Sequence, residues 1–194
     1  MSISSATLLP QHKASIRIEN VVASSSVNQK IDLRHVAGSF EDVEYHPDAF
    51  PGLVFRMKVP KTAILIFSTG KMVCTGTKSS SEAVQAVKIA VNMLRKGGIN
   101  IRNEPITVVQ NVVASVSLGG KVDLEEAARQ LPKAMYEPEQ FPGLIHRMAD
   151  PKTVILIFAS GKLVCTGAKT EEDVLKAVTK LHVSLEQKGL MTYS

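Results

Sequence analysis

Apolar positions along the chain fall into strand-length segments, some alternating and some continuous, interrupted by two longer stretches with helical spacing. β-rich stretches run from Ile16 to Ala23 and from Thr107 to Val116. Each leads to a short helix starting near Ile31-Asp32-Leu33 or Val122-Asp123-Leu124. Three strands are then expected in the first half, at Leu53 to Lys58, Thr62 to Ser68 and Lys71 to Thr77, the last two joined by a hairpin-type turn at Gly70. A further strand is expected near Val43 to His46. The closing helices carry stronger signals. Ser79-x-x-Glu82 and Thr170-x-x-Asp173 have the form of capping boxes, and Gly97 and Gly189 stand where C-caps belong. Val84, Val87, Val91 and Leu94 form one apolar stripe; Val174, Ala177, Val178, Leu181 and Leu185 form the other.

The two halves are copies of one another. Asn20-Val21-Val22-Ala23-Ser24 recurs as Asn111 to Ser115, Phe50-Pro51-Gly52-Leu53 as Phe141 to Leu144, and Pro60-Lys61-Thr62 as Pro151 to Thr153, always 91 residues on and without a gap. A period of this length is too long for a solenoid. It predicts two pseudo-symmetric α+β half-molecules: a tail at 1–14, a first repeat at 15–104, and a second at 105–194 that ends in a short C-terminal tail.

Strand alternation then sorts the side chains by face. Ile64, Ile66 and Cys74 fall on one side, a floor for the helices. The other side collects Leu65, Phe67, Val73 and Thr75, joined by Asn20, Val22 and Ser24; the second copy supplies Leu156, Phe158, Val164, Thr166, Asn111 and Val113. Two main helices cover one face of a sheet, yet both faces carry apolar residues. Either the halves pack face to face as a sandwich, or one continuous sheet keeps an apolar face for a ligand.

Several positions favour the ligand. Phe50 and Phe141 precede Pro-Gly in loops, and each has a strand partner in Phe67 or Phe158, giving two sets of apolar wedges. Wedges that unstack base steps are a device of minor-groove binders. Asn20, Asn111, Thr75 and Thr166 place small hydrogen-bonding groups among Val and Leu, which suits a groove floor offering mainly acceptors at A·T pairs. Arg56, Lys71 and Lys78, with their copies Arg147, Lys162 and Lys169, bracket the same strands as phosphate clamps would.

Composition agrees without deciding. A formal charge of +5, from 23 basic and 18 acidic residues, favours an anionic partner only mildly. No apolar run approaches bilayer length, and Met1 to Lys13 lacks the apolar core of a secretion signal, so an intracellular protein away from membranes is expected. Cys74 and Cys165 are too far apart in sequence, and too poorly accompanied, to suggest a disulfide framework or a zinc site, and no cofactor is implied. None of His12, His35, His46, His146 or His182 recurs at the repeat offset, and no nucleophile-base order or phosphate-cradling loop is present, which argues against an enzyme. A small-molecule or RNA-binding module using the apolar face is the alternative. Such a cavity leaves the paired Arg and Lys unexplained, and RNA-binding sheets carry stacking aromatics on central strands.

At these residues the sequence resembles the TATA-box-binding protein family from Ser15 to Gly189, through Asn-Val-Val-Ala, Phe-Pro-Gly-Leu-Ile-His-Arg-Met, Pro-Lys-Thr-Val-Ile-Leu-Ile-Phe and Gly-Lys-Leu-Val-Cys-Thr-Gly-Ala-Lys in family order. The resemblance implies one curved antiparallel sheet, a saddle with helices on its convex face, seated on bent TATA-box DNA. It implies that Phe50 with Phe67 and Phe141 with Phe158 kink the duplex and that Asn20, Asn111, Thr75 and Thr166 meet base edges. Val22, Leu65, Val73, Val113, Leu156 and Val164 would then line the floor. It further implies recruitment of transcription factor B at Glu137-Pro138-Glu139, where Glu137 and Glu139 replace His46 and Asp48 of the first copy, and through that factor of RNA polymerase. The close match between the halves is similar to archaeal members. The protein would then be cytoplasmic and nucleoid-associated, or nuclear if eukaryotic, and its apolar face would also suit a homodimer of the free protein.

Overall fold

The computed structural model describes residues 14–194 and the short strand Ser2–Ile3; residues 1 and 4–13 of the expected tail lie outside the described residues. In chain order the elements are β1 (Ser2–Ile3), β2 (Ser15–Ser26), α1 (Leu33–Ser39), β3 (Val43–Glu44), β4 (Leu53–Lys58), β5 (Lys61–Ile66), β6 (Lys71–Thr77) and α2 (Ser80–Lys96). They are followed by β7 (Ile106–Ser117), β8 (Lys121–Val122), α3 (Leu124–Gln130), β9 (Ala134–Met135), β10 (Leu144–Ala149), β11 (Lys152–Ile157), β12 (Lys162–Ala168), α4 (Glu171–Gln187) and β13 (Met191–Thr192). From β2 to α2 and from β7 to α4, equivalent elements start 91 residues apart. β8 and β13 pair with each other as a separate two-stranded sheet.

Two compact units result: Asn20–Gln110, and Asn111–Ser194 with the described part of Met1–Glu19. In the first, the strand order is β3-β4-β5-β6-β2, antiparallel throughout. The first residues of β7 run beside β2, where the Ser25 hydroxyl donates to the Ile106 carbonyl at 3.1 Å. In the second, the order is β9-β10-β11-β12-β7, and the Ser115 hydroxyl donates to Glu19 at the start of β2 at 2.7 Å. Each compact unit therefore takes in the opening residues of the other repeat's first strand.

Helices begin where a side chain accepts the otherwise orphaned N–H groups of the first turn. Asp32 accepts from the amides of Arg34 and His35, Asp123 from Glu126, Ser79 from Glu82 and Thr170 from Asp173. Each cap contributes about 1 kcal/mol. At the other end Gly97 caps α2 as expected, with left-handed Gly98 after it, whereas α4 is capped by Lys188, one residue before the expected Gly189, which is left-handed. Strand ends are also set by hydrogen bonds. The expected strand Thr62 to Ser68 stops at Ile66 because the Phe67 amide donates to the Lys71 carbonyl and closes the Gly70 turn. The strand expected to reach His46 stops at Glu44, since the His46 carbonyl accepts from Ala49 and Phe50 in a turn.

α2 packs on β5 and β6, and α4 packs on β12. Ile64, Ile66 and Cys74 are fully buried beneath α2, as alternation requires. The buried stripe of α2 is Ala83, Ala86, Val87, Ala90, Val91 and Leu94, whereas Val84 is only half-buried. The helix is rotated from the valine-based expectation because three alanines, with no bulk to place, let the backbone lie close to the sheet. In α4 every expected stripe residue is buried, together with His182. This contrast is measurable: Leu94→Ala is expected to cost about 2 to 5 kcal/mol in urea unfolding, and Val84→Ala about 0.5 kcal/mol.

Candidate nucleic-acid interface

On the side of each sheet away from the helices, side chains line up in cross-strand rows. In the first unit Ser24 pairs with Val73, Val73 with Leu65 and Leu65 with Val54; beside this row Thr75 pairs with Ala63 and Ala63 with Arg56. The second unit repeats the rows as Ser115, Val164, Leu156 and Ile145, and as Thr166, Val154 and Arg147. Apart from the exposed arginines, these residues are half-buried while their strand neighbours Ile64, Ile66, Cys74, Ile155, Ile157 and Cys165 are inaccessible. Val22 and Val113 share the open face with them. The buried thiols are pushed up by desolvation, Cys74 to about 11 and Cys165 to about 12, so neither is a nucleophile near neutral pH.

Each open face contains a polar constellation built on a β-bulge. In β6 the alternation breaks after Thr75, so that Thr77, two residues on, points into the core. The extra residue is Gly76 at φ +102°, and Gly167 at φ +93° repeats it. The freed Gly76 N–H donates to Asn20 Oδ1 at 2.8 Å, and the Gly167 N–H donates to Asn111 Oδ1 at 2.7 Å. Because a backbone N–H can only donate, this bond fixes which way the amide faces. Nδ2 of each asparagine then donates to its threonine hydroxyl, Thr75 or Thr166, at 3.1 Å. An amide nitrogen carries two protons, so one remains for a further acceptor.

The aromatic pairs are equally well placed. Phe50 and Phe67 lie edge to face with ring centroids 5.9 Å apart, and Phe141 and Phe158 repeat that geometry. Phe50 and Phe141 are 42% and 37% exposed, unusual for rings of this size. Both rings of each pair stand over a glycine. A Cβ on Gly143 would lie 2.9 Å from Phe141 and 3.0 Å from Phe158, and one on Gly52 would lie 2.8 Å from Phe50 and 3.0 Å from Phe67. A side chain at Gly52 or Gly143 would push these rings aside, which accounts for the glycine of Phe-Pro-Gly. The loop is held by a turn in which the Phe141 amide donates to the Glu137 carbonyl at 3.0 Å and the Phe50 amide to His46 at 2.9 Å.

Comparison with known proteins bears directly on this geometry. The family model described as transcription factor TFIID (or TATA-binding protein, TBP) matches twice, over residues 15–97 and 106–188. The chain belongs to the TATA-binding protein family. It is 50% identical over 177 residues to the TATA-box-binding protein of Pyrobaculum aerophilum, covering 91% of this chain and 89% of that one. It is 52% identical to that of Pyrodictium occultum, covering 90% and 88%. The solved structure of Methanococcus jannaschii TBP superposes with a TM-score of 0.81 at 46% identity, covering 89% of this chain and 98% of that chain. These relatives are archaeal, and the family is one of transcription factors and not of enzymes.

Within this TATA-binding protein fold the basic residues lie at the margins of the open faces. Lys71, Lys162, Lys78 and Lys169 are exposed at the two ends of β6 and β12. Arg56 pairs with Glu44 at 2.8 Å, an exposed contact of about 0 to 1 kcal/mol that another anion can replace. At the equivalent of Glu44 the second unit has Met135, so Arg147 has no counterpart of that pair. Glu137 and Glu139 are exposed in the loop that presents Phe141. The structure adds residues that sequence reasoning missed. Val54, Ile145, Ala63 and Val154 share the open face, and Lys58, Lys61 and Lys152 extend its basic margin. Simple alternation along β4, β5, β10 and β11 would have found them. Glu19 is a further omission, half-buried against Ser115.

The role of Gly143 under its rings is testable. Gly143→Ala should shift the ring signals of Phe141 and Phe158 in aromatic 13C–1H spectra, whereas Gly38→Ala, where an added Cβ meets nothing within 4 Å, should leave them in place. Unmoved ring signals in the Gly143 variant would contradict the close-approach explanation.

Proposed function

We propose that the chain binds the minor groove of TATA-box promoter DNA, bends it, and acts in transcription initiation by recruiting transcription factor B and, through it, RNA polymerase. One observation carries the reading: in each unit a β-bulge engages the oxygen of an asparagine on an apolar face, and after its bond to threonine the amide has one proton left to give. The minor-groove edge of A·T pairs offers acceptors alone, while G·C adds the guanine amino donor. Donors among Val and Leu match the first and are opposed by the second. The open-face residues named above, Val22, Leu65, Val73, Val113, Leu156 and Val164 among them, supply the apolar contact.

Bending follows from the aromatic pairs. Fully burying four Phe rings contributes at most about 6 to 12 kcal/mol, and unstacking costs a few kcal/mol at each of two steps, so wedges and kinks roughly cancel. Net affinity then rests on the remaining apolar face and on phosphate neutralisation by Arg56, Lys71, Lys78, Arg147, Lys162 and Lys169. Transcription factor B docks at the acidic loop carrying Glu137 and Glu139. The first copy has His46 and Asp48 at those positions, so a partner reading this loop tells one repeat from the other. Free of DNA, the same apolar faces would support a homodimer. The ligand places the protein with the genome, in a nucleoid if the source is archaeal like its relatives.

The test separates wedging from folding. Phe141→Ala combined with Phe158→Ala is expected to abolish bending of an end-labelled TATA duplex, read by energy transfer between its ends, while circular dichroism and the thermal midpoint stay near wild type. Bending retained in that variant would refute the wedge assignment.

A further inference from the structure

The two open faces agree at most positions, and in the opening strands two departures change hydrogen-bond chemistry: Arg17 against Val108, and Glu19 against Gln110, the second of which reaches a serine. Glu19 and Gln110 are equivalent in the repeat, as are Ser24 and Ser115. In the second unit the Ser115 hydroxyl donates to Glu19 Oε1 at 2.7 Å; in the first, Gln110 Nε2 donates to the Ser24 hydroxyl at 2.8 Å. The same serine thus plays opposite parts. A carboxylate only accepts, so the single proton of Ser115 is committed and its hydroxyl shows lone pairs to anything above it. Ser24 accepts a hydrogen bond from the amide and keeps its own proton to donate.

Both serines lie where a ligand would meet them. Ser24 lines a groove of about 780 Å³ with Phe67, Lys71, Val73 and Val108, and Ser115 lines its counterpart of about 720 Å³ with Phe158, Lys162, Val164 and Arg17, the repeat equivalent of Val108. Against a base edge that offers only acceptors, the Ser24 proton is complementary, while the Ser115 lone pairs and the Glu19 charge behind them are repelled. Against a guanine amino group the preferences reverse.

We infer that Glu19 makes the two units read different bases: the groove beneath Ser115 accepts a guanine amino group where the groove beneath Ser24 demands A·T. The Glu19–Ser115 pair then gives the base readout a direction, beside the difference in charge between Arg17 and Val108. This inference rests on the minor-groove reading above and adds a base preference to it.

The experiment uses the full chain and a TA-rich duplex into which one G·C pair, or one inosine·C pair, is placed at each position in turn. The two pairs differ only by the guanine amino group, so the ratio of their affinities isolates it. For the wild-type chain the ratio should stay within about threefold in one arm of the site and fall by about tenfold or more in the other. Glu19→Gln should reject guanine in both arms and bind the all-A·T duplex at least as tightly as wild type. Gln110→Glu should tolerate guanine in both, and it carries the test should the first variant fail to fold by circular dichroism. Equal losses in both arms of the wild-type profile, or an unchanged asymmetry in Glu19→Gln, would overturn the inference alone. Failure of the wild-type chain to bind any TA-rich duplex would overturn the minor-groove reading and the inference together.

Discussion

In each unit the N–H of a bulge glycine, Gly76 or Gly167, donates to the side-chain oxygen of an asparagine at 2.8 or 2.7 Å. Much of the surface chemistry follows from that bond. Without the bulge, Thr77 would share the open face with Thr75 and the core would lose a residue that seals it by donating to the Val21 carbonyl at 3.2 Å. Without the glycine, the left-handed backbone would be strained. Without the bond, the asparagine amide could turn over and present an acceptor to a ligand that itself presents acceptors. A single backbone irregularity therefore connects the register of β6 against β2 to the sign of the hydrogen bonds offered to the ligand.

The rest of each unit keeps that surface open. Long helices pack on the opposite face only, and in α2 alanines at 83, 86 and 90 let the helix approach closely. The apolar residues left on the open side are branched aliphatics of moderate size, with large rings confined to the Phe-Pro-Gly loops and the strand ends beside them. Duplication supplies a second copy of the same constellation. Small departures from duplication, such as Glu19 against Gln110 and Glu137 against His46, are then where direction and partner choice can reside.

Much of this was legible in the sequence because it depends on periodicity. The gapless repeat, the bounds of β4 and β6, the capping residues Ser79 and Thr170, and the division of Ile64 from Leu65 all follow from spacing and alternation. What escaped depends on contacts between distant residues. The reason for Gly52 is ring space shared by Phe50 and Phe67, which no local pattern encodes. The rotation of α2 away from Val84 reflects how closely alanines allow it to approach the sheet. The engagement of Arg56 by Glu44 and of Ser115 by Glu19 required the strand register to be known. Assignment of the domains from the repeat alone also left unseen that each compact unit takes in the first residues of the other repeat's opening strand.

The central claim, that donors on an apolar face read the acceptors of the minor groove, is tested most directly by competition among three duplexes of one length: a TA-rich box, the same box with inosine·C in place of its A·T pairs, and the same box with G·C. Inosine·C has the major-groove edge of G·C and the acceptor-only minor-groove edge of A·T. The account predicts that the inosine duplex competes within a few-fold of the TA-rich box and that the G·C duplex competes at least about a hundredfold less well. An inosine duplex that competes no better than G·C would contradict it.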